Sequence, residues 1–308
     1  MAGNTPWEWR DADALPLAHA FGLDARHVRP LPGGMENTHL RVDTPSGSVV
    51  LTVLRKKSIE SAEHYIEFLR HLVRSGMPVP RPRALRSGGW VDSYRGRPVI
   101  ACDFVPGRIL TRLPPDLVRE AGMVLGSVHR IGVGLDSPLP PVLRMTDADA
   151  AALASLPDGP LRRWATATHD AVRDIAYLRA PLVPVHADLF PDNIIIRDDG
   201  RLCFIDWEDC SMDAPFMDLG MAVLGLCGPE EFSVRAARCL LGGYQQGSGS
   251  VPDPALVRDA ALYAAVLVAL RRHRWQQEGR NSVDPSRTAA AVQGFAESLV
   301  ARWEAVPL

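Results

Sequence analysis

Asp188, Asn193 and Asp206 are two carboxylates and an amide set within a short span, VHADLFPDNIIIRDDGRLCFIDWED, residues 185–209. A hard divalent cation takes oxygen ligands and keeps several waters, so one amide and one carboxylate can hold it beside substrate phosphates. A further carboxylate close by can accept the proton of an attacking hydroxyl. Positioning and charge stabilisation of this kind dominate phosphoryl transfer, so an ordinary aspartate suffices as the proton acceptor. Apolar runs at Ile194–Ile196 and Leu202–Ile205 flank Asp198-Asp199-Gly200-Arg201, which predicts a hairpin. If Asp199-Gly200 forms the two-residue type I′ turn that Asp-Gly favours, Asp198 faces Arg201 and Asn193 faces Asp206. Opposed side chains of an antiparallel pair have Cβ atoms about 4.5–5.5 Å apart. The competing reading of the stretch is a surface hairpin with solvated acids.

Protein kinases use the same set: a catalytic-loop Asp, an Asn a few residues later and a metal-binding Asp on the next hairpin. HADLFPDN, FIDWED and Asp218-Leu219-Gly220 together resemble the aminoglycoside phosphotransferase/choline kinase group of small-molecule kinases. With GGMENTHLRV, LRHLVRSGMPVPRP and the VDP near residue 284, the chain is most similar to the homoserine kinases of kinase-like fold. The resemblance implies an α+β, two-lobed protein-kinase-like fold. Its N-terminal lobe (residues 1–105) has an antiparallel sheet and one long helix; its C-terminal lobe (106–308) is mainly helical and carries the catalytic hairpin. It also implies ATP and Mg²⁺ as cofactors, with Asp188 receiving the proton, Asn193 and Asp206 holding metal, and Asp218 bracing the catalytic loop. His186, two residues before Asp188, is assigned to shaping that loop, and His129 to packing.

Other residues take their roles from their order along the chain. Gly33 and Gly34 precede a strand, where glycines let backbone N–H groups approach phosphates, and Glu36, Asn37 and Thr38 can add side-chain contacts. Thr52 stands where kinases carry a strand lysine, as in the homoserine kinases this chain resembles. Arg55, Lys56 and Lys57 are the nearby cations, and Glu63 or Glu67 is either their partner or part of an exposed helix face. Asp103 and Val105 lie in the predicted link whose backbone would meet the adenine edge. Trp207, Glu208 and Asp209 follow the metal aspartate and are the candidate substrate-binding residues there, the two acids for an ammonium group on the acceptor. Arg271, with Arg272 and Arg274, would reach a substrate carboxylate or complement a helix C-terminus.

The acceptor predicted first is homoserine or a similar amino alcohol. Trp207-Glu208-Asp209 is more acidic than the homoserine kinases' aromatic stretch and closer to the antibiotic-modifying branch. An antibiotic or natural-product kinase acting on an aminoglycoside, nucleoside or related scaffold is therefore the alternative. The missing strand lysine leaves a third, non-catalytic binding protein of the same fold.

Several elements must position these groups. Apolar residues at three- and four-residue steps predict a helix from Ser58 to Ser75. Strands are predicted at His39–Val42, Val49–Leu54 and Arg97–Val105, and further helices begin near residues 115, 146, 159, 217, 256 and 286. A net charge of −2 gives no reason to expect nucleic-acid binding. The longest apolar run, Ala260–Leu270, is too short to cross a bilayer, so no membrane association is expected. The acidic N-terminus lacks a secretory h-region, and the five cysteines form no Cys-x-x-Cys pair, which together predict a cytoplasmic protein. Oligomeric state leaves no signature.

Overall fold

The computed structural model describes residues 11–31, 37–132, 139–228, 231–279 and 288–306. Gly33, Gly34 and Glu36 of the predicted phosphate loop lie outside the described residues. The chain packs as two compact units, Met1–Pro106 and Gly107–Leu308.

The first unit runs α1 (Asp11–Ala20), β1 (His27–Pro30), β2 (Thr38–Thr44), β3 (Gly47–Val53), α2 (Ile59–Arg74), β4 (Asp92–Tyr94) and β5 (Arg97–Asp103). Its five strands form one sheet in the order β1-β2-β3-β5-β4, each neighbour antiparallel. Alternation decides the faces. Leu40, Val42, Val49, Leu51 and Val53 point into a core shared with Ala14, Leu17 and Ala18 of α1 and with Phe21 just after it. Helix α2 starts where Ser58 accepts a hydrogen bond from the Ser61 N–H at 3.1 Å, and Ser75 caps its end. Glu67 on α2 pairs with Arg70 and Arg74 of the same helix, so it serves the exposed-face role.

The second unit contains α3 (Pro115–Ile131), α4 (Asp147–Ser155), α5 (Pro160–Val172), β6 (Val183–Val185), β7 (Ile194–Ile196), β8 (Leu202–Phe204), β9 (Ser211–Asp213), α6 (Pro215–Leu226), α7 (Val234–Ser248), α8 (Pro254–Gln277) and α9 (Ala289–Arg302). Proline occupies the first turn of α3, α5, α6 and α8, where its missing N–H costs nothing. Helix α8 is the central member. Its apolar body from Ala260 to Leu270 is almost wholly buried, which accounts for the long apolar run. β6 pairs with β9, and β7 with β8, as two separate two-stranded ladders. Among the described residues no helix is long and apolar enough to cross a membrane.

Candidate active site

The hairpin of β7 and β8 forms, but not in the expected register. Ile194 pairs with Phe204, Ile195 with Cys203 and Ile196 with Leu202. Arg197 then faces Arg201, with the Arg201 carbonyl accepting from the Arg197 N–H at 2.9 Å, and the loop is three residues, Asp198-Asp199-Gly200. The Gly200 N–H closes a tight turn on the Arg197 carbonyl at 2.9 Å, and Gly200 sits at φ 82°. Glycine thus supplies the left-handed residue that ends a three-residue hairpin loop, rather than the second position of a type I′ turn. The partner of Asn193 is therefore Ile205, whose N–H donates to the Asn193 carbonyl at 2.9 Å.

A backbone feature follows the hairpin. Asp206 adopts φ 60°, ψ 54°, the left-handed region, and so leaves the strand's alternation immediately after β8. Its charge still acts on Asp188. Among the described residues only Arg95, Ala187 and Asp206 are non-glycine residues with positive φ. Two of the three thus flank Asp188 and the hairpin, where such strain is commonly concentrated.

The loop that carries Asp188 is fixed from beneath. Asp218, at the start of α6 and fully buried, accepts from the His186 N–H at 2.7 Å and the Ala187 N–H at 2.8 Å. The His129 imidazole lies 3.1 Å from the same carboxylate, and its other nitrogen is 3.0 Å from the Tyr244 hydroxyl. Burial alone would raise the Asp218 pKa, but the bond and charge of His129, with His186, hold it below the ordinary carboxylate value. His186 places one ring nitrogen 3.0 Å from the Ile205 carbonyl, and the other accepts from the Asp188 N–H at 3.3 Å. This arrangement suits a neutral imidazole with Nε2 protonated, and burial pushes its pKa down. His186 therefore shapes the loop.

At the top of the loop, the Asn193 side-chain NH₂ donates to the Asp188 carboxylate at 2.9 Å and to the Asp188 carbonyl at 2.8 Å. Both amide protons are committed, which fixes the flip and directs Oδ1 away from Asp188. Burial pushes the half-buried Asp188 carboxyl up to about 7, reinforced by the charges of Asp209, Asp206 and Asp192 and opposed by the Asn193 bond. A cation entering this acidic cluster would favour the ionised form. The donor set of Asn193 Oδ1 and the Asp206 carboxylate fits a hard ion that completes its shell with water and phosphate. Among the described residues no three His, Cys, Asp or Glu side chains gather to hold a metal by themselves.

The remaining predicted residues divide. Trp207 is buried, with its indole N–H on the Phe204 carbonyl at 2.9 Å and its ring 4.5 Å from that of His186. It supports the loop from below instead of facing a substrate. Glu208 and Asp209 are half-buried in the turn after Asp206, and Asp209 is the strongest charge acting on Asp188. Arg271 does not project freely. It donates to the Val142 carbonyl at 3.2 Å and lies 3.7 Å from Asp149, which Arg274 also approaches at 3.4 Å. In the first unit, Thr52 is tied to His39 at 3.0 Å across β2 and β3. Asn37 accepts from the Arg55 N–H at 3.1 Å, and Thr38 opens β2 opposite Val53. The Asp103 N–H is committed to the Arg81 carbonyl at 2.8 Å, beside the bridge from Pro82 to Cys102 of β5; Val105 lies beyond the end of β5.

One close approach was invisible in the sequence. A Cβ built on Gly225 of α6 would lie 2.2 Å from the Leu189 carbonyl oxygen, so α6 packs directly on the backbone of the loop that carries Asp188. Gly225→Ala is expected to cost about 1–3 kcal/mol through overpacking. It should also lower kcat by displacing Asp188, measurable by urea unfolding and steady-state turnover on one preparation.

A family model described as "Phosphotransferase enzyme family" matches residues 27–258. A homoserine kinase of Caulobacter sp. (strain K31) is 31% identical over 251 residues, covering 74% of this chain and 76% of its own. Among solved structures, amicoumacin kinase hAmiN in complex with AMP-PNP and Ca²⁺ shares the fold at TM-score 0.72 and 17% identity, covering 92% of each chain. Spectinomycin phosphotransferase APH(9)-Ia does so at TM-score 0.69 and 16% identity, covering 95% of each.

Proposed function

Since the chain belongs to the phosphotransferase enzyme family and is a small-molecule kinase of kinase-like fold, we propose that it transfers the γ-phosphoryl group of ATP to the side-chain hydroxyl of homoserine. The observation that carries the chemistry is the Asn193 amide locked onto the Asp188 carboxylate, which orients a proton acceptor and an oxygen ligand at once. Mg²⁺, when bound, would neutralise charge developing on the phosphates. Asn193 Oδ1 and the Asp206 carboxylate are the groups that would hold it. Asp188 accepts the hydroxyl proton as the acceptor oxygen bonds to the γ-phosphorus and the bond from that phosphorus to the bridging oxygen breaks, releasing ADP. Asp209, with Glu208 beside it, supplies negative charge where the acceptor's ammonium group would sit.

The choice of acceptor rests on the homoserine kinase relative. A panel containing homoserine, choline, 3-aminopropan-1-ol and spectinomycin, run with ATP and Mg²⁺ and read by mass spectrometry of the products, tests it. Homoserine is expected to give the highest kcat/KM. Turnover should stop with excess EDTA and return with added Mg²⁺. Preference for spectinomycin would replace the homoserine reading with the antibiotic one, and turnover undiminished by EDTA would remove the metal from the mechanism.

A further inference from the structure

The sheet of the first unit has two unlike faces. Leu40, Val42, Leu51 and Val53 turn to the apolar core shared with α1. Alternation then puts His39 and Arg41 of β2 and Thr52 of β3 on the opposite face. His39 and Thr52 are directly opposed in the ladder, with the imidazole Nδ1 3.0 Å from the threonine hydroxyl. Among the described residues that hydroxyl has no acceptor other than Nδ1, so it donates there and the neutral ring carries its proton on Nε2. Burial lowers the His39 pKa, which keeps the ring neutral at pH 7. Nε2 itself has no partner among the described residues, yet it is not sealed in the interior. A half-buried N–H donor is thus held in a fixed direction and left unused, although a donor in such a place is costly without an acceptor.

Kinases carry a lysine on the strand equivalent to β3, where it holds the α- and β-phosphates of the nucleotide, and Thr52 stands at that position here. From the pairing of His39 with Thr52 we infer that His39 does the work of the missing lysine. Its Nε2–H donates to an oxygen of the α- or β-phosphate, and Thr52 fixes the ring that makes the bond. The inference rests on the reading that ATP is the phosphoryl donor and names the residue of the sheet that recognises it. Arg41, on the same face, is already committed. It donates to Asp43 at 2.7 Å and Ser48 at 3.0 Å, and its guanidinium carbon lies 4.1 Å from the centroid of the Phe104 ring. Arg55, Lys56 and Lys57 come after β3 has ended at Val53, whereas His39 lies on the ladder beside Thr52.

The test separates the two ring nitrogens. An asparagine amide reaches about as far as Nδ1 and can keep the bond to Thr52, while a glutamine amide reaches about as far as Nε2 and can keep a donor for phosphate. Wild type, His39→Asn and His39→Gln are titrated calorimetrically with ADP and Mg²⁺, and with adenosine, after thermal unfolding has shown each to be cooperatively folded. The Kd for ADP is expected to rise about 10- to 100-fold in His39→Asn, as for loss of a hydrogen bond to a charged group, and to stay within about threefold of wild type in His39→Gln. Adenosine should bind all three alike, and in turnover the ATP KM should follow the ADP Kd while the acceptor KM holds still. Wild-type ADP affinity in His39→Asn, or a loss in His39→Gln as large as in His39→Asn, means that His39 only braces the two strands and overturns the inference. So does a parallel loss of adenosine binding, which would put His39 away from the phosphates. A wild type that binds no ADP removes the ATP reading and this inference together.

Discussion

Asp188→Asn is expected to lower kcat by about 10²- to 10⁴-fold, the usual contribution of a positioned proton acceptor. The substitution keeps the shape of the side chain, and its Oδ1 can still accept from the Asn193 NH₂ that now reaches the carboxylate at 2.9 Å. Loop geometry should therefore survive, and the loss should appear in kcat with little change in folding stability. The proton would have no acceptor when the hydroxyl oxygen attacks. Following ADP release in the presence of homoserine, alongside thermal unfolding, distinguishes chemistry from structure. Turnover within about threefold of wild type in a stably folded Asp188→Asn variant would sink the assignment of Asp188.

Asp218→Ala should produce the largest loss of stability, about 3–5 kcal/mol, as for removing one partner of a buried charged network. It would strand the N–H groups of His186 and Ala187 and one nitrogen of His129, all now satisfied by a single buried carboxylate. Ala187 holds a left-handed φ of 66° that its bond to this carboxylate secures, so the loop should relax and kcat should fall with stability. The same carboxylate predicts a pH effect. Its folded pKa is depressed below the ordinary aspartate value. Its stabilising contribution is therefore complete above that ordinary value and is lost as pH falls through it towards the depressed folded one. Urea unfolding of wild type should weaken over that acid window more steeply than unfolding of the alanine variant. Matching acid dependences would show that Asp218 is not the group responsible.

What the sequence revealed depended on how local the determining physics was. Ser58 and Ser75 were legible as helix ends because capping and apolar spacing act within a few residues, and α2 begins and ends between them. The short strands β1, β4, β6 and β9 escaped notice, since three or four residues show too little alternation to separate a strand from a loop. The hairpin itself was evident, yet its register shifted by one because Asp-Gly serves both two- and three-residue loops. The left-handed backbone at Asp206 takes that residue out of the strand alternation directly after β8, and its charge still acts on Asp188. Arg271 and Arg272 are adjacent and chemically identical, and nothing local assigns one to Asp149 and the other to Phe190. Trp207 looked like part of the acceptor surface because it sits among acids, although its burial is decided by His186 and Phe204.

The pairing of β6 with β9 joins Val185 to Ser211, at the two ends of the stretch that carries every proposed catalytic and metal-holding group. That stretch is thus drawn shut at its neck, and the β7–β8 ladder stiffens it farther out. Its chemistry is anchored near the neck, while the exposed Asp198-Asp199-Gly200 tip faces solvent. Natural length variation in this segment should therefore accumulate at the tip, leaving the reacting end undisturbed.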